Sequence, residues 1–383
     1  MGVKEFTLPL VPSRQGRGEN VEFYDQEFMM SNKKVNIILN GKTTVCDKGE
    51  TIFNAAKKAG VFIPTLCHDM RLEPYGACRM CSVEVKGVPR LLPACSTPVS
   101  EGMDIRTESR TVNRIRKRLV SLLLSNHPND CMRCETSGAC KLQNLAYEYK
   151  VDGMEYGGER WKLPIRQANP FIVYEPNKCI VCGRCVRICN EIVMAGTIDF
   201  TGRGFNTVPD TAFRTARTLS ICEFCGQCVS TCPTGALTDK KARGKGRVHE
   251  MKRVKTTCCY CGTGCSFYLN VKDEKVVRVS SDFFGPVNQG DLCVKGRYGY
   301  DFIHSRDRIK TPLVRKGDKF VKTSWDRAFA VIASNFEKII KKHGSDAVGA
   351  FSSSRCTNEE NFLLAKFVRT VFKTNNVDNC ARV

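Results

Sequence analysis

The sequence predicts an α+β chain built from several small domains, and three observations carry that prediction. Nineteen of its 23 cysteines, with one histidine, fall into five consecutive groups of four along 383 residues. Between the groups, short runs of strand period alternate with short runs of helix period, too short for one large core. Beyond Arg315 the style changes to helix, apolar strand, polar loop and helix, the opening of an α/β nucleotide-type domain. A chain of this length suits three or four small domains.

Residues 1–33 are polar and without periodicity, and read as an N-terminal extension. Residues 34–107 read as a β-grasp ferredoxin domain. Strands are predicted at 35–39 and 43–46 around Gly41, then a helix at 51–59 stopped by Gly60. A hairpin of 81–85 and 90–93 follows, turning at Lys86-Gly87. In 108–150 a helix is predicted over 109–125. Val112, Ile115, Leu119, Leu122 and Leu123 lie on one face, and Arg114, Arg116, Lys117 and Arg118 mostly elsewhere. A shorter helix follows over 141–149. Residues 151–170, rich in glycine and proline, read as a linker. In the domain 171–250, residues 171–240 hold a doubled unit, cysteine loop, helix, cysteine loop, and a basic hinge follows over 241–253. Residues 251–312 carry a further cysteine loop and a hairpin of 266–271 and 275–279. In 313–383 a helix is predicted over 325–343, capped by Thr323 or Ser324 and stopped by Gly344, then a strand at 347–351 and a helix at 359–372.

Composition narrows the function. So many thiols spaced as metal ligands need a reducing compartment. No apolar run approaches 18 residues, and the first twenty residues show no export signal, so a cytoplasmic protein without a membrane span is expected. The formal charge of +21 would suggest nucleic acid, but five iron–sulfur clusters would carry about −9 and leave about +12. A face for acidic electron carriers is therefore expected, and nucleic-acid binding is not.

The quartets differ in kind. Cys67, Cys78, Cys81 and Cys95 lie on the β-grasp loop and hairpin and predict one [2Fe–2S] cluster; a zinc site would pair two close Cys knuckles, and only one is present. His127, Cys131, Cys134 and Cys140 lack a fourth thiol, and a neutral imidazole is the next-best iron ligand. Cys179, Cys182, Cys185 and Cys189, then Cys222, Cys225, Cys228 and Cys232 before Pro233, form the two-cluster ferredoxin run. There each fourth cysteine serves the other cluster, giving Cys179/Cys182/Cys185/Cys232 and Cys222/Cys225/Cys228/Cys189. Cys258, Cys261, Cys265 and the distant Cys293 complete the set, for four [4Fe–4S] clusters in all. Cys46, Cys259, Cys356 and Cys380 are expected to be small buried hydrophobes. Lys295, two residues past Cys293, places a cation beside the last cluster, though surface lysines are common.

CCYCGTGC at 258–265, GDLCVKGRYGYDF at 290–302, SSRCTNEEN at 353–361 and NNVDNCARV at 375–383 resemble the N-terminal part of the cytoplasmic, NAD(P)- or ferredoxin-linked formate dehydrogenase alpha subunit. That family belongs to the molybdopterin oxidoreductases with a Mo- or W-bis-MGD centre. The resemblance covers about 34–383 and implies that 313–383 begins the molybdopterin oxidoreductase domain. It also implies that Lys295 carries electrons between pterin and cluster, and that a selenocysteine or cysteine metal ligand follows CARV. On that resemblance the 383 residues are expected to be the front of a selenoenzyme cut at its UGA codon, inactive toward formate alone. Electrons would run from formate through Lys295, the last quartet, the ferredoxin pair, His127 and the [2Fe–2S] site. They would leave to a flavin- or NAD(P)-binding diaphorase-type subunit or ferredoxin in a hetero-oligomer, with a hydrogenase subunit as a further partner. The alternative is a stand-alone electron-transfer subunit of a hydrogenase- or complex-I-like assembly.

Overall fold

A computed structural model describes residues 34–151 and 155–381; the extension expected at 1–33 lies outside the described residues, as do 152–154 within the linker. The first domain is a five-stranded sheet in the order Lys42–Asp47, Lys34–Leu39, Asp104–Arg106, Ser82–Val85, Leu92–Pro93. Lys34–Leu39 alternates exposed and buried residues along KVNIIL, as one covered face requires. It pairs antiparallel with Lys42–Asp47 and parallel with Asp104–Arg106. The helix Ile52–Lys58 starts where Thr51 caps Asn54 N–H and closes the buried face. Ile37, Ile52 and Ile105 are fully buried there, each contributing roughly 1.5–3 kcal/mol. The central strand Asp104–Arg106 was not expected; three residues are too few to show alternation.

The helix Arg110–Asn126 lies close to the predicted bounds and is capped by Ser109; Val112, Leu119 and Leu123 of the expected face pack inward, but the face is not wholly the expected one. Leu122 is exposed, whereas Val112, Val120, Ser121 and Arg116 are buried. Arg116 spends its guanidinium on backbone: Nε donates to Met80 O at 3.1 Å and Nη2 to Ser82 O at 3.0 Å. Those carbonyls flank Cys81, so a charged residue fixes the first cysteine loop, which an apolar periodicity could not reveal. Lys141–Glu148 matches the second expected helix.

In the doubled unit, Ile172–Tyr174 pairs antiparallel with Leu237–Asp239, so the ends of the repeat are stitched together around the two cysteine loops. The basic hinge is docked rather than free. Arg247 donates to Cys134 O at 2.7 Å and Met132 O at 2.5 Å, and Gly244 N–H reaches Glu135. It runs into Lys252–Thr257, a strand not expected, which edges a three-stranded sheet with Ser266–Lys272 and Lys275–Ser281. Asp273 and Glu274 take left-handed φ values of 50° and 58° at the tight turn between the latter two.

The last region has a small hairpin, Leu313–Lys316 with Lys319–Lys322, also not expected. The helix Trp325–His343 matches the predicted bounds, with Ser324 as its cap and Gly344 just beyond. The expected strand is shorter, Ala350–Ser352, and the last helix is α over Asn358–Phe367 before a π turn at Val368–Phe372. Ala350–Ser352 then pairs parallel with Val377–Asn379, closing one βαβ unit. No helix among the described residues is long and apolar enough to cross a membrane.

Candidate metal centres

The first quartet meets two by two. Cys67 and Cys78 each receive the other's backbone N–H at their sulfur, at 3.5 and 3.4 Å. The shared contact holds the Cys78 thiol below its ordinary value and pushes Cys67 up. Cys81 and Cys95 form a second such pair, with Cys95 lowered by Cys81 and Cys81 raised by Cys95. Two thiolate pairs side by side are the donor set of a two-iron core, one pair to each iron.

His127 is 7% exposed. Its Nδ1 accepts Asn129 N–H at 3.1 Å, and its buried Nε2 has no partner. Burial lowers its proton affinity and keeps the imidazole neutral, as iron ligation needs. With Nδ1 accepting, the ring proton sits on Nε2 as an orphaned donor; moving it to Nδ1 would free the Nε2 lone pair. Burial and then the neighbouring Cys134 raise Cys131, and burial raises Cys140, which also lies near Cys134.

In the ferredoxin run, Cys232 lies with the first loop and Cys189 with the second. One small cavity of about 20 Å³ is lined by Cys179, Cys182, Cys185 and Cys232, and another of about 20 Å³ by Cys189, Cys222, Cys225 and Cys228. Burial pushes Cys182 up to about 12 and Cys225 to about 11, so thiolates need a positive core to exist there. The buried Tyr174 hydroxyl lies beside Cys179.

The last quartet gathers at the mouth of its hairpin. Cys258 N–H donates to Cys265 O at 2.8 Å, and Cys265 senses Cys258, Cys261 and Cys293. The Thr263 hydroxyl, with a smaller contribution from Lys295, holds Cys261 below its ordinary value. Cys259 and Cys380 are exposed, correcting the expectation that they are buried hydrophobes; Cys46 is buried and Cys356 half-buried. Cys380 meets the hydroxyls of Ser353 and Ser354 and is lowered to about 7, a contact between two distant loops that no local pattern signals. Among the described residues, no three His, Cys, Asp or Glu side chains converge closely enough to hold a single metal ion.

The quartets adjoin one another. Cys182 lies near Cys78 of the first quartet, and Cys140 near Cys232. The Cys179 site therefore neighbours both the Cys67 and the His127 sites, a fork where a single file was expected. Gly235 packs against Cys134 Sγ at this seam, where a Cβ would clash. At the other end, the one-turn helix Val294–Tyr298 leaves Cys293, lays Gly296 against Cys258 Sγ and sends Arg297 Nε to Cys225 O at 2.8 Å. Asp69 ties three domains together: it accepts from Arg71, from Arg184 at 2.8 Å and from Thr231 at 2.6 Å, while Arg71 reaches Asp291 at 2.8 Å. The cysteine spacing gives no hint of these polar ties, although Arg184 and Thr231, each inside a spacer, stand next to the ligands Cys185 and Cys232 in sequence.

Comparison with known proteins follows the same order along the chain. Residues 32–110 match a 2Fe-2S iron-sulfur cluster binding domain, and 116–154 an NADH-ubiquinone oxidoreductase-G iron-sulfur binding region. Residues 169–238 match the ferredoxin-like domain of NADH-quinone oxidoreductase subunit 3, 251–305 a molybdopterin oxidoreductase Fe4S4 domain, and 308–383 a molybdopterin oxidoreductase domain. The NADPH-Fe(3+) oxidoreductase subunit alpha of Geobacter sulfurreducens is 40% identical across 91% of this chain and 40% of its own length. An NADH-quinone oxidoreductase component of Rhizobium meliloti is 36% identical across 91% of this chain and 40% of its own. A Staphylococcus aureus protein provisionally named a formate dehydrogenase is 33% identical across 90% of this chain and 39% of its own. The chain thus spans about two fifths of the length of these relatives. The crystal structure of an NAD+-reducing [NiFe]-hydrogenase in the H2-reduced state aligns with a TM-score of 0.52 at 28% identity, covering 56% of this chain and 91% of that one.

Proposed function

We infer, from a chain that places NADH-G-type iron–sulfur domains ahead of the start of a molybdopterin oxidoreductase domain, that it is the electron-relay portion of a formate dehydrogenase alpha subunit. The reaction is the reversible oxidation of formate to carbon dioxide at a Mo- or W-bis-MGD centre. The observation that supports it most is the turn Val294–Tyr298, which joins the Cys258 quartet of the molybdopterin-type domain to Cys225 of the ferredoxin pair. The twenty ligands are the five quartets as numbered above, with His127 the one nitrogen donor. When bound, one [2Fe–2S] and four [4Fe–4S] clusters supply one-electron carriage. The chain's own residues fix the spacing: Arg116 sets the first loop, Arg247 straps the His127 domain, and Asp69 locks three domains. Lys295, exposed beside Cys261, is the cation facing the pterin side. The work fits a cytoplasmic hetero-oligomer with a diaphorase-type or ferredoxin partner.

A second reading rests on the Geobacter and hydrogenase likenesses: electron transfer in an NAD(P)H-linked assembly without formate chemistry. Anaerobically purified full-length subunit separates the two. Formate should bleach its iron–sulfur absorbance and reduce a viologen dye. Bleaching by NAD(P)H with the partner subunit, and none by formate, would replace this reading with the second.

A further inference from the structure

The quartet Cys189, Cys222, Cys225 and Cys228 sits between two guanidinium groups that have no carboxylate partner. Arg217, half-buried, donates from Nη1 to Cys228 Sγ at 3.4 Å. Arg297, 3% exposed, donates from Nε to Cys225 O at 2.8 Å and from Nη2 to Gln227 Oε1 at 3.0 Å and Ser281 Oγ at 3.2 Å. These acceptors carry no carboxylate charge, and neither arginine forms an ion pair among the described residues. Gly226 makes the approach possible, because a Cβ there would overlap Arg297 Cδ and the Tyr298 hydroxyl. Asp239 is a carboxylate in the vicinity of Arg297, but its Oδ1 accepts Lys241 and Ala242 N–H.

The neighbouring quartet, with the same cysteine spacing, is surrounded differently. Arg184 is paired with Asp69 at 2.8 Å, and Lys178 with Glu175 at 2.9 Å and Asp130 at 3.3 Å. Lys141, also close to Cys182, has the Asp69 carboxylate nearby. A buried cation without a counter-ion is strongly disfavoured. Around the Cys222 quartet, Asp239 offsets part of the Arg297 charge, and the rest of the compensation falls to the site itself.

Adding an electron makes a cluster one charge more negative, and nearby unpaired cations stabilise that state. We propose that Arg217 and Arg297 are the counter-charges of the Cys189/Cys222/Cys225/Cys228 site and hold its reduction potential above that of the Cys179/Cys182/Cys185/Cys232 site. The transfer is a single electron from the Cys258 site, which is oxidised by one as the Cys222 site is reduced by one, with no bond made or broken. An electron arriving from the Cys258 side would rest there. Arg297 is well placed for this, since its helical turn starts at Cys293, a proposed ligand of the donor site. The inference rests on the relay reading above.

The test is a potentiometric titration of the anaerobically reconstituted chain, followed by EPR, on wild type, R217M, R217K, R297M and R297K. Both methionine variants should displace the same one of the four [4Fe–4S] signals to lower potential. At a fixed poise its reduced-to-oxidised ratio should fall about tenfold or more. Both lysine variants should recover much of the shift, whereas a purely structural clamp would not respond to charge alone. Four signals with unchanged potentials in R217M, whose half-buried side chain can be replaced without opening the core, would overturn the proposal and leave the relay reading intact. Fewer than four signals in wild type would overturn both.

Discussion

Replacing Cys232 with alanine should remove about four irons per chain, and they should be those of the Cys179 site, although Cys232 stands ten residues from Cys222 and fifty-three from Cys179. The reason is the crossover seen in the two cavities: Cys232 shares one with Cys179, Cys182 and Cys185, and Cys189 closes the other. Double substitution identifies the partners, because residues serving one site are not additive. C182A/C232A should lose no more iron than C232A alone, whereas C225A/C232A should lose about eight. Iron content with EPR reads both outcomes. An extra loss in C182A/C232A would mean that the two cysteines serve different sites.

Replacing Asp69 with asparagine should destabilise the chain by roughly 3–5 kcal/mol, because removing one member of a buried charge network strands the others. Asp69 is 5% exposed and receives Arg71, Arg184 and Thr231. Burial pushes its carboxyl up, but the hydrogen bonds from Arg71, Thr231 and Arg184 outweigh it and hold the group well below the ordinary carboxylate range. A depressed carboxylate contributes its full stability above the unfolded-state value near 4 and loses it as pH falls further. Wild type should therefore be markedly more stable than D69N at pH 7, with the gap narrowing below about pH 4. Denaturant midpoints across that range measure it. A difference independent of pH, or one under about 1 kcal/mol, would show that the ion network does not staple the domains.

Ligand spacing is what made this chain legible. The grouping of cysteines and the helix Trp325–His343 depend on short-range chemistry, which local sequence records, and the pairing of Cys189 and Cys232 with the opposite loops was read from the repeated ferredoxin spacing. What local sequence does not record is contact across domains. Arg116 was placed off the apolar face because its buried partners are carbonyls of Met80 and Ser82, more than thirty residues away. The same holds for the Asp69 network and the Arg247 strap. The strands Asp104–Arg106 and Val377–Asn379 were missed because each has three residues and is fixed by its pairing partner rather than by its own periodicity. Lines of electron passage were read as a file because sequence orders sites in one dimension, while the fold sets the Cys179 site beside both the Cys67 and His127 sites.

The central claim is that the five quartets hold inorganic iron–sulfur cores. Iron and acid-labile sulfide should be counted on chain purified and reconstituted without oxygen. About 18 of each per chain is the expected result, from one two-iron and four four-iron cores. A count near ten, or zinc in place of iron with no labile sulfide, would contradict it.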